Sequence, residues 1–162
     1  MDIWTEQLER RHLPILERWL GRTAGAITPN DLPSDVIELR PWFERSVAEP
    51  GRLDCLALVY ETPVGVAGLR RINGQKDTLE VYLMLGEVGY NLRRTATYVA
   101  LRMIDRAFSN ADAAQVAVRV SPCHTWFLDV LYRMGFAEER TENEMTVFTV
   151  EKDVFLNRKY LF

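Results

Sequence analysis

Hydrophobic and polar positions change period several times along the chain, and the sharpest change falls between Thr78 and Phe108. From Leu79 to Leu85 the residues are apolar, β-branched or aromatic with one acid, Glu80, inside. That is the pattern of a strand buried on both faces. From Thr95 onward, Ala96, Val99, Ala100, Met103, Ile104, Ala107 and Phe108 recur at three- and four-residue steps, which makes them one side of a helix about four turns long. The loop between, residues 86–94, ends where a helix start points unpaired backbone N–H groups outward with the positive end of the dipole behind them. Arg93 and Arg94 stand there, so a phosphate-bearing ligand suits the position. The plainer reading of the same pair is solvated surface.

The flanking stretches supply the other elements. Residues 1–8 alternate weakly, as a first strand would. Residues 9–20 are amphipathic, with Leu13, Leu16, Trp19 and Leu20 on one face and Gly21 as a stop. Residues 23–33 are rich in turn formers and read as a connection on the substrate side. Ser34-Asp35 opens a second helix running to Glu49, with Val36, Ile37, Leu39, Trp42, Phe43 and Val47 as its apolar side and Pro41 expected to kink or divide it. Strands at 53–61, 66–72 and from 78 onward, joined by turns at 62–65 and 73–77, predict an antiparallel meander. Val64 and Gly65 fit either the turn or the second strand.

Beyond the long helix, Gln115–Val120 is a β-branched strand and Thr125–Met134 a short helix that Gly135 closes with a left-handed cap. Residues 136–142 and 145–154 then pair as a hairpin around Asn143-Glu144. The apolar tail, residues 155–162, is expected to dock on its own domain or on a partner, and it is compatible with a homodimer contact.

Composition narrows the class. At 162 residues, 48% of them apolar, the chain is expected to be one domain with a substantial core. A net charge of −3 argues against a general nucleic-acid binder. Only Lys76, Lys152 and Lys159 of the 20 basic residues are lysines, so the positive charge is mostly guanidinium, suited to planar anions but common on ordinary surfaces. Cys55 and Cys123 lack metal or redox spacing, and His12 and His124 are too scattered for a metal site, so no metal is expected. No apolar run reaches membrane-spanning length and the N-terminus is charged, which predicts a cytoplasmic protein without a membrane partner.

The order β, α, α, three antiparallel strands, α, β, α and a hairpin covers nearly the whole chain. Together with the strand around Glu80, the stretch from Asn91 to Phe108, the strand Gln115–Val120 and Leu131-Tyr132-Arg133-Met134-Gly135-Phe136, it resembles the GNAT acyltransferase superfamily. The last hexapeptide looks like that family's closing (aliphatic)-x-x-x-Gly-Phe signature. The resemblance implies an α/β (α+β) fold with a central, mostly antiparallel mixed sheet flanked by helices, one acyltransferase domain over residues 1–162, and acetyl-CoA as co-substrate without a metal. It also implies that the splayed end of the central strand, here Met84 and Leu85, receives the pantetheine arm on its backbone. The family's pyrophosphate loop, (Gln or Arg)-x-x-Gly-x-(Gly or Ala), falls on Asn91, Leu92, Arg93, Arg94, Thr95 and Ala96. Ala96 matches; Asn91 replaces Gln or Arg, and Arg94 replaces glycine. Glycine lets a phosphate approach bare backbone, whereas an arginine either blocks that approach or supplies its own charge-assisted bonds.

An amine attacking a thioester must lose a proton, the oxyanion needs a donor and the thiolate needs a proton. Glu80, on the strand that in the family borders the acyl group, is the candidate base; its alternatives are a charged residue at a strand edge and one end of a buried ion pair. Tyr82 faces the same side and is either a second catalytic candidate or a core tyrosine. In many family members a tyrosine four residues before the final glycine protonates the leaving group, but that place holds Leu131, which cannot donate. Tyr132, one position on and rotated about a hundred degrees, is counted with the cofactor-side residues. His124 stands where the family often has an asparagine near the pantetheine and, with Ser121 and Cys123, offers a donor; a capping role is its alternative.

Two readings stand at this point. One is an N-acetyltransferase passing an acetyl group to a primary amine of a small molecule or peptide by direct attack. The other is a non-catalytic protein of the same fold that senses a ligand or binds a partner. The acidic balance is compatible with a cationic acceptor, and Trp19, Trp42 and Phe43 form either an aromatic wall for it or core.

Overall fold

The computed structural model describes residues 2–20, 28, 31–72, 74–87 and 91–162. Most of the expected 23–33 connection and the middle of the loop before Asn91 lie outside these residues. The described elements are β1 (Ile3–Gln7), α1 (Leu13–Trp19) after a 3-10 turn (Arg10–His12), α2 (Leu39–Ala48) after a second 3-10 turn (Val36–Glu38), β2 (Leu53–Val59), β3 (Thr62–Ile72), β4 (Gln75–Leu85), α3 (Leu92–Ser109), β5 (Gln115–Val120), α4 (Thr125–Met134), β6 (Ala137–Glu142), β7 (Met145–Glu151) and α5 (Lys152–Arg158) with a closing 3-10 turn (Lys159–Leu161). No described helix is long and apolar enough to cross a membrane.

The strands form a mixed sheet in the order β1-β2-β3-β4-β5-β7-β6. β1 to β4 are mutually antiparallel, as the meander predicted, and β7 pairs antiparallel with both β5 and β6. Among the described strands β4 and β5 alone run parallel, with α3 as the crossover such a pair requires. Their pairing lasts only from Thr78 opposite Gln115 to Glu80 opposite Ala117. Beyond that point five residues of β4 and three of β5 continue unpaired with each other, and the sheet splits.

Each face of the sheet is covered differently. On one, Leu79, Val81, Leu83 and Leu85 of β4 meet Ala96, Val99, Ala100, Met103, Ile104, Ala107 and Phe108 of α3, joined by Phe127, Leu131 and Met134 of α4 and Phe155 of α5. The three-and-four spacing of α3 exists to present that stripe, and burial of each large side chain contributes roughly 1.5–3 kcal/mol. On the other face, α1 and α2 bring Leu13, Leu16, Trp19, Leu39 and Trp42 onto Leu56, Val66 and Tyr82. Gly68, directly opposite Tyr82 on β3, leaves its backbone bare for the phenol ring, which a Cβ there would strike. Gly135 takes φ 97° as the left-handed cap of α4, as its sequence position predicts.

Several expectations change. Residues 62–65 and 75–77, expected as turns, belong to β3 and β4, which lengthens both strands of that hairpin. Val36, Ile37 and Val47 are exposed, not part of the buried side of α2. The 3-10 turn winds at three residues per turn and puts Val36 and Ile37 out of phase with the α-helix, whose buried stripe is Leu39, Trp42 and Ser46. Pro41 neither kinks nor divides α2, because it falls in the first turn, where its missing N–H has no intrahelical acceptor to lose. α3 begins at Leu92, so Arg93 and Arg94 are first-turn residues and not loop. β7 ends at Glu151, and residues 152–158 turn helical so that Phe155 reaches the core beside Phe108, ring centroids 5.6 Å apart. The tail thus docks through Phe155, while Tyr160 and Leu161 stay exposed.

Candidate active site

The split between β4 and β5 organises what surrounds it. Alternation along β4 sends Glu80, Tyr82 and Met84 to the α1–α2 face and the odd-numbered leucines to the α3 face. Glu80 is the last β4 residue in register with β5, so it sits at the apex of the split. Its Oε1 accepts a 2.6 Å hydrogen bond from Arg119 Nε of β5, and Arg70 of β3 lies directly opposite. The side chain of Glu80 is 16% exposed and that of Arg119 38%. Both open onto a groove of about 660 Å³ that is also lined by Glu49, Arg70, Arg140 and Glu142. Glu80 is therefore at once a groove carboxylate and one end of an ion pair.

Tyr82 faces the same side, as expected, but lies beneath the surface, 2% exposed. Its hydroxyl donates to Asp54 Oδ1. Burial first, and Asp54 second, push its pKa well above the usual 10. Asp54 in turn accepts from Arg52, whose side chain is 2% exposed. Arg52 grips Asp31 with both terminal nitrogens at 2.7 Å, and Trp42 Nε1 donates to Asp31 at 3.1 Å. A hub of four charged or phenolic groups thus stands under α2. Burial raises the Asp31 pKa, but the hydrogen bonds from Arg52 and Trp42 more than reverse this and hold it at about 2.

The outer edge of β4 carries another contact. Odd-numbered residues of β4 turn their N–H and C=O toward β5, since Gly86 N, of the other parity, bonds Val64 O of β3. Past Glu80 that edge has lost its strand partner. At Leu83 it is satisfied by Thr28: Leu83 N donates to Thr28 Oγ1 at 2.8 Å, and Thr28 N donates to Leu83 O at 3.2 Å.

At the open end of the split lies the start of α3. Asn91 caps it, its Oδ1 accepting from Arg94 N at 3.1 Å, the usual work of an N-cap asparagine. Thr95 and Ala96 are buried, and Leu92 packs partly on the core. Arg93 and Arg94 are exposed; Arg93 lies over the Trp126 ring at 5.8 Å and Arg94 over Tyr98 at 5.9 Å. The Arg93–Trp126 contact ties the first turn of α3 to that of α4. His124 is the N-cap residue of α4, its ring 6.4 Å from Trp126, and Ser121 Oγ and Cys123 Sγ are 2.9 Å apart just before it. Met84 and Leu85 close β4 opposite Val66 and Gly65. Leu131 is fully buried, and Tyr132 sets its ring edge-on to Phe148 of β7 at 5.6 Å.

The structure therefore gathers Glu80 with the groove, and Asn91 to Ala96 with the α4 start. It separates Tyr82 from the groove by burial and places Tyr132 against β7. Arg119, Thr28, Asp31, Arg52 and Asp54 were not singled out by sequence reasoning. Arg119 leaves a trace, a lone charge inside the apolar run Gln115–Val120; Thr28 and Asp31 pair across 55 and 21 residues of chain and leave none, and Arg52 and Asp54, two residues apart, read as an ordinary surface pair. Among the described residues no group of three His, Cys, Asp or Glu side chains could hold a metal ion.

No family model and no curated protein matches the chain. Solved structures do. A variant of the spermidine N-acetyltransferase SpeG from Vibrio cholerae is 15% identical and superposes with a TM-score of 0.79 over 97% of this chain and 98% of that one. A second set of variants of the same spermidine/spermine enzyme is 14% identical at the same TM-score and coverage. A chimera of SpeG with hSSAT reaches 0.77 at 15% identity, covering 97% of this chain and all of that one. The chain has the GNAT acetyltransferase fold, as the resemblance in its sequence implied.

Proposed function

We propose that this protein is an N-acetyltransferase that moves an acetyl group from acetyl-CoA to the primary amine of a small molecule, with Glu80 as general base. The observation that carries the reading is the parting of β4 from β5 directly after Glu80, with a capped helix start at the open end and a carboxylate-bearing groove at the apex. A cleft of this shape suits a long, thin ligand with a phosphate head and a reactive tip. The fold, shared with acetyltransferases, supports the same conclusion.

The residues fit acetyl-CoA in outline. The first turn of α3 offers backbone N–H groups and the guanidiniums of Arg93 and Arg94 to the phosphates, with Asn91 to Ala96 forming the seat. The Arg94 amide is already engaged by Asn91, so the Arg94 side chain, where the family has glycine, supplies charge in place of bare backbone. Met84 and Leu85 border the arm of the cofactor; Leu83 does so only where Thr28 yields its edge. Bound there, the cofactor supplies the thioester.

The chain's own groups do the rest. Glu80 takes the proton of the amine, directly or through a water, on the carboxylate oxygen that Arg119 leaves open. Arg119 is a positioning residue that fixes the Glu80 rotamer. Tyr82 underpins the same strand through Asp54. His124, where β5 hands over to α4, is assigned to the leaving-group side, since Leu131 has no proton to give.

Glu80→Gln tests the assignment. It should lower kcat at least 100-fold, the usual share of a positioned base, while the rise in Tm that coenzyme A gives the wild type persists. A wild-type protein that transfers acetyl to no amine, or a Gln variant of full activity, would overturn it.

A further inference from the structure

The groove past Glu80 is charged differently from the chain as a whole. The sequence carries a net −3, yet the groove is lined by Arg70, Arg71, Arg119 and Arg140 against Glu49, Glu80 and Glu142. Every one of those carboxylates is committed. Arg70 holds Glu49 with two bonds at 3.1 and 3.2 Å, Arg119 holds Glu80 at 2.6 Å, and Arg140 holds Glu142 at 3.0 Å. Two carboxylates that touch the lining arginines are committed as well: Asp31, 3.5 Å from Arg70, is gripped by Arg52, and Glu139 accepts from Arg140 Nη1.

Each of these carboxylates is already neutralised by an arginine, so a polycationic amine entering the groove meets guanidinium charge beside every carboxylate oxygen it could approach. The guanidiniums, by contrast, have donors to spare. Each carries five N–H groups in a planar fork; Arg119 uses only Nε, and Arg140 uses Nε and Nη1. Register puts the two in one row, because Val147 of β7 lies opposite Arg119 on one side and Arg140 on the other. In-register neighbours point to the same face, so both arginines flank Val147 on the face that Glu80 shares, about 10 Å apart at two strand spacings. Both are more than a third exposed.

We propose, resting on the acetyltransferase reading, that the acceptor is a small amine that also carries a carboxylate. Its amine lies beside Glu80 and its carboxylate lies over Val147, between the free N–H groups of Arg119 and Arg140. The pairing is bidentate and charge-assisted, which gives both orientation and discrimination. The solved acetyltransferases of like fold are named for spermidine and spermine, polycations that a pair of guanidiniums with free N–H groups does not favour. The groove's volume suits a molecule of amino-acid to dipeptide size.

The test is a thioester-consumption assay on the whole chain with free amino acids, the matching amino-acid amides and spermidine, beside a thermal shift with coenzyme A. The free acids should exceed their amides at least tenfold in kcat/KM, with spermidine below both. Arg140→Gln, distant from the proton transfer, should bring the acid-to-amide ratio toward one by raising KM for the acids. If coenzyme A shifts Tm and amides or spermidine are preferred, or if the ratio survives Arg140→Gln, this proposal alone falls. If coenzyme A gives no shift and no amine is acetylated, the transferase reading falls and takes this proposal with it.

Discussion

The two faces of the sheet are held in different ways. Under α3, α4 and α5 the packing is almost wholly apolar, with Thr95 the buried polar exception on α3, and its cost and gain are spread over many side chains. Under α1 and α2 the apolar contacts surround Arg52, Asp54 and Tyr82, with Asp31 at the margin. A stripe of aliphatic residues tolerates small losses, because each methyl contributes independently. A buried ionic hub does not, because removing one member strands the others without water. The catalytic assignment depends on the second kind: β4 carries Tyr82 in the hub and Glu80 two residues before it.

Arg52→Ala is the strongest way to break this contrast. Asp54, whose side chain is 8% exposed, would keep the Tyr82 hydroxyl but lose its counter-charge while buried, and unfolding free energy should fall by about 3–5 kcal/mol. Ile104→Val on the opposite face removes one methyl and should cost about 0.5–1.5 kcal/mol. Urea unfolding of both variants measures the gap; equal losses would mean that the hub is no more than solvated surface.

Thr28→Val comes next. It keeps the shape of Thr28 and removes the hydroxyl that accepts Leu83 N–H, leaving a buried amide unsatisfied at a cost of about 1–3 kcal/mol. Hydrogen exchange at Leu83 should quicken with little change at Leu79, whose edge β5 covers. Unaltered exchange at Leu83 would show that the unpaired edge of β4 needs no partner there.

The same contrast explains what the sequence could and could not disclose. The α3 face was legible because period alone writes it: Val99, Met103, Ile104 and Phe108 fall where a 3.6-residue repeat puts them, and the Gly135 cap and the 143–144 turn follow from local backbone preference. Glu80 was legible as a lone acid in an apolar strand. The hub was not, since the Arg52 partner Asp31 lies 21 residues away and ion pairing carries no period. Trp42 read as amphipathic-helix apolar side, which it is, but its indole N–H also serves Asp31. The Val36 and Ile37 error has the opposite origin, an α-helical period extended through a turn that winds at three residues. The apolar stripe of α3 starts three residues after the helix does, because Arg93 and Arg94 are polar and add nothing to it.

The smallest expected effect refines the hub by pH. Asp31 is partly exposed, which screens its ion pair and limits what it contributes. Its pKa nonetheless falls from an ordinary 3.8 unfolded to about 2 in the folded chain. A depressed folded value favours the fold whenever the carboxylate is charged, so the contribution is complete above pH 4 and is lost as pH falls toward 2. Asp31→Asn has no such titration. The stability difference between wild type and Asp31→Asn, measured by urea unfolding, should be constant from pH 7 to pH 5 and shrink steadily below pH 4. Arg52 remains charged throughout, so a difference of the same size at pH 3 as at pH 7 would mean that the Asp31 contact acts through shape and hydrogen bonding alone, and the hub would then rest on Asp54.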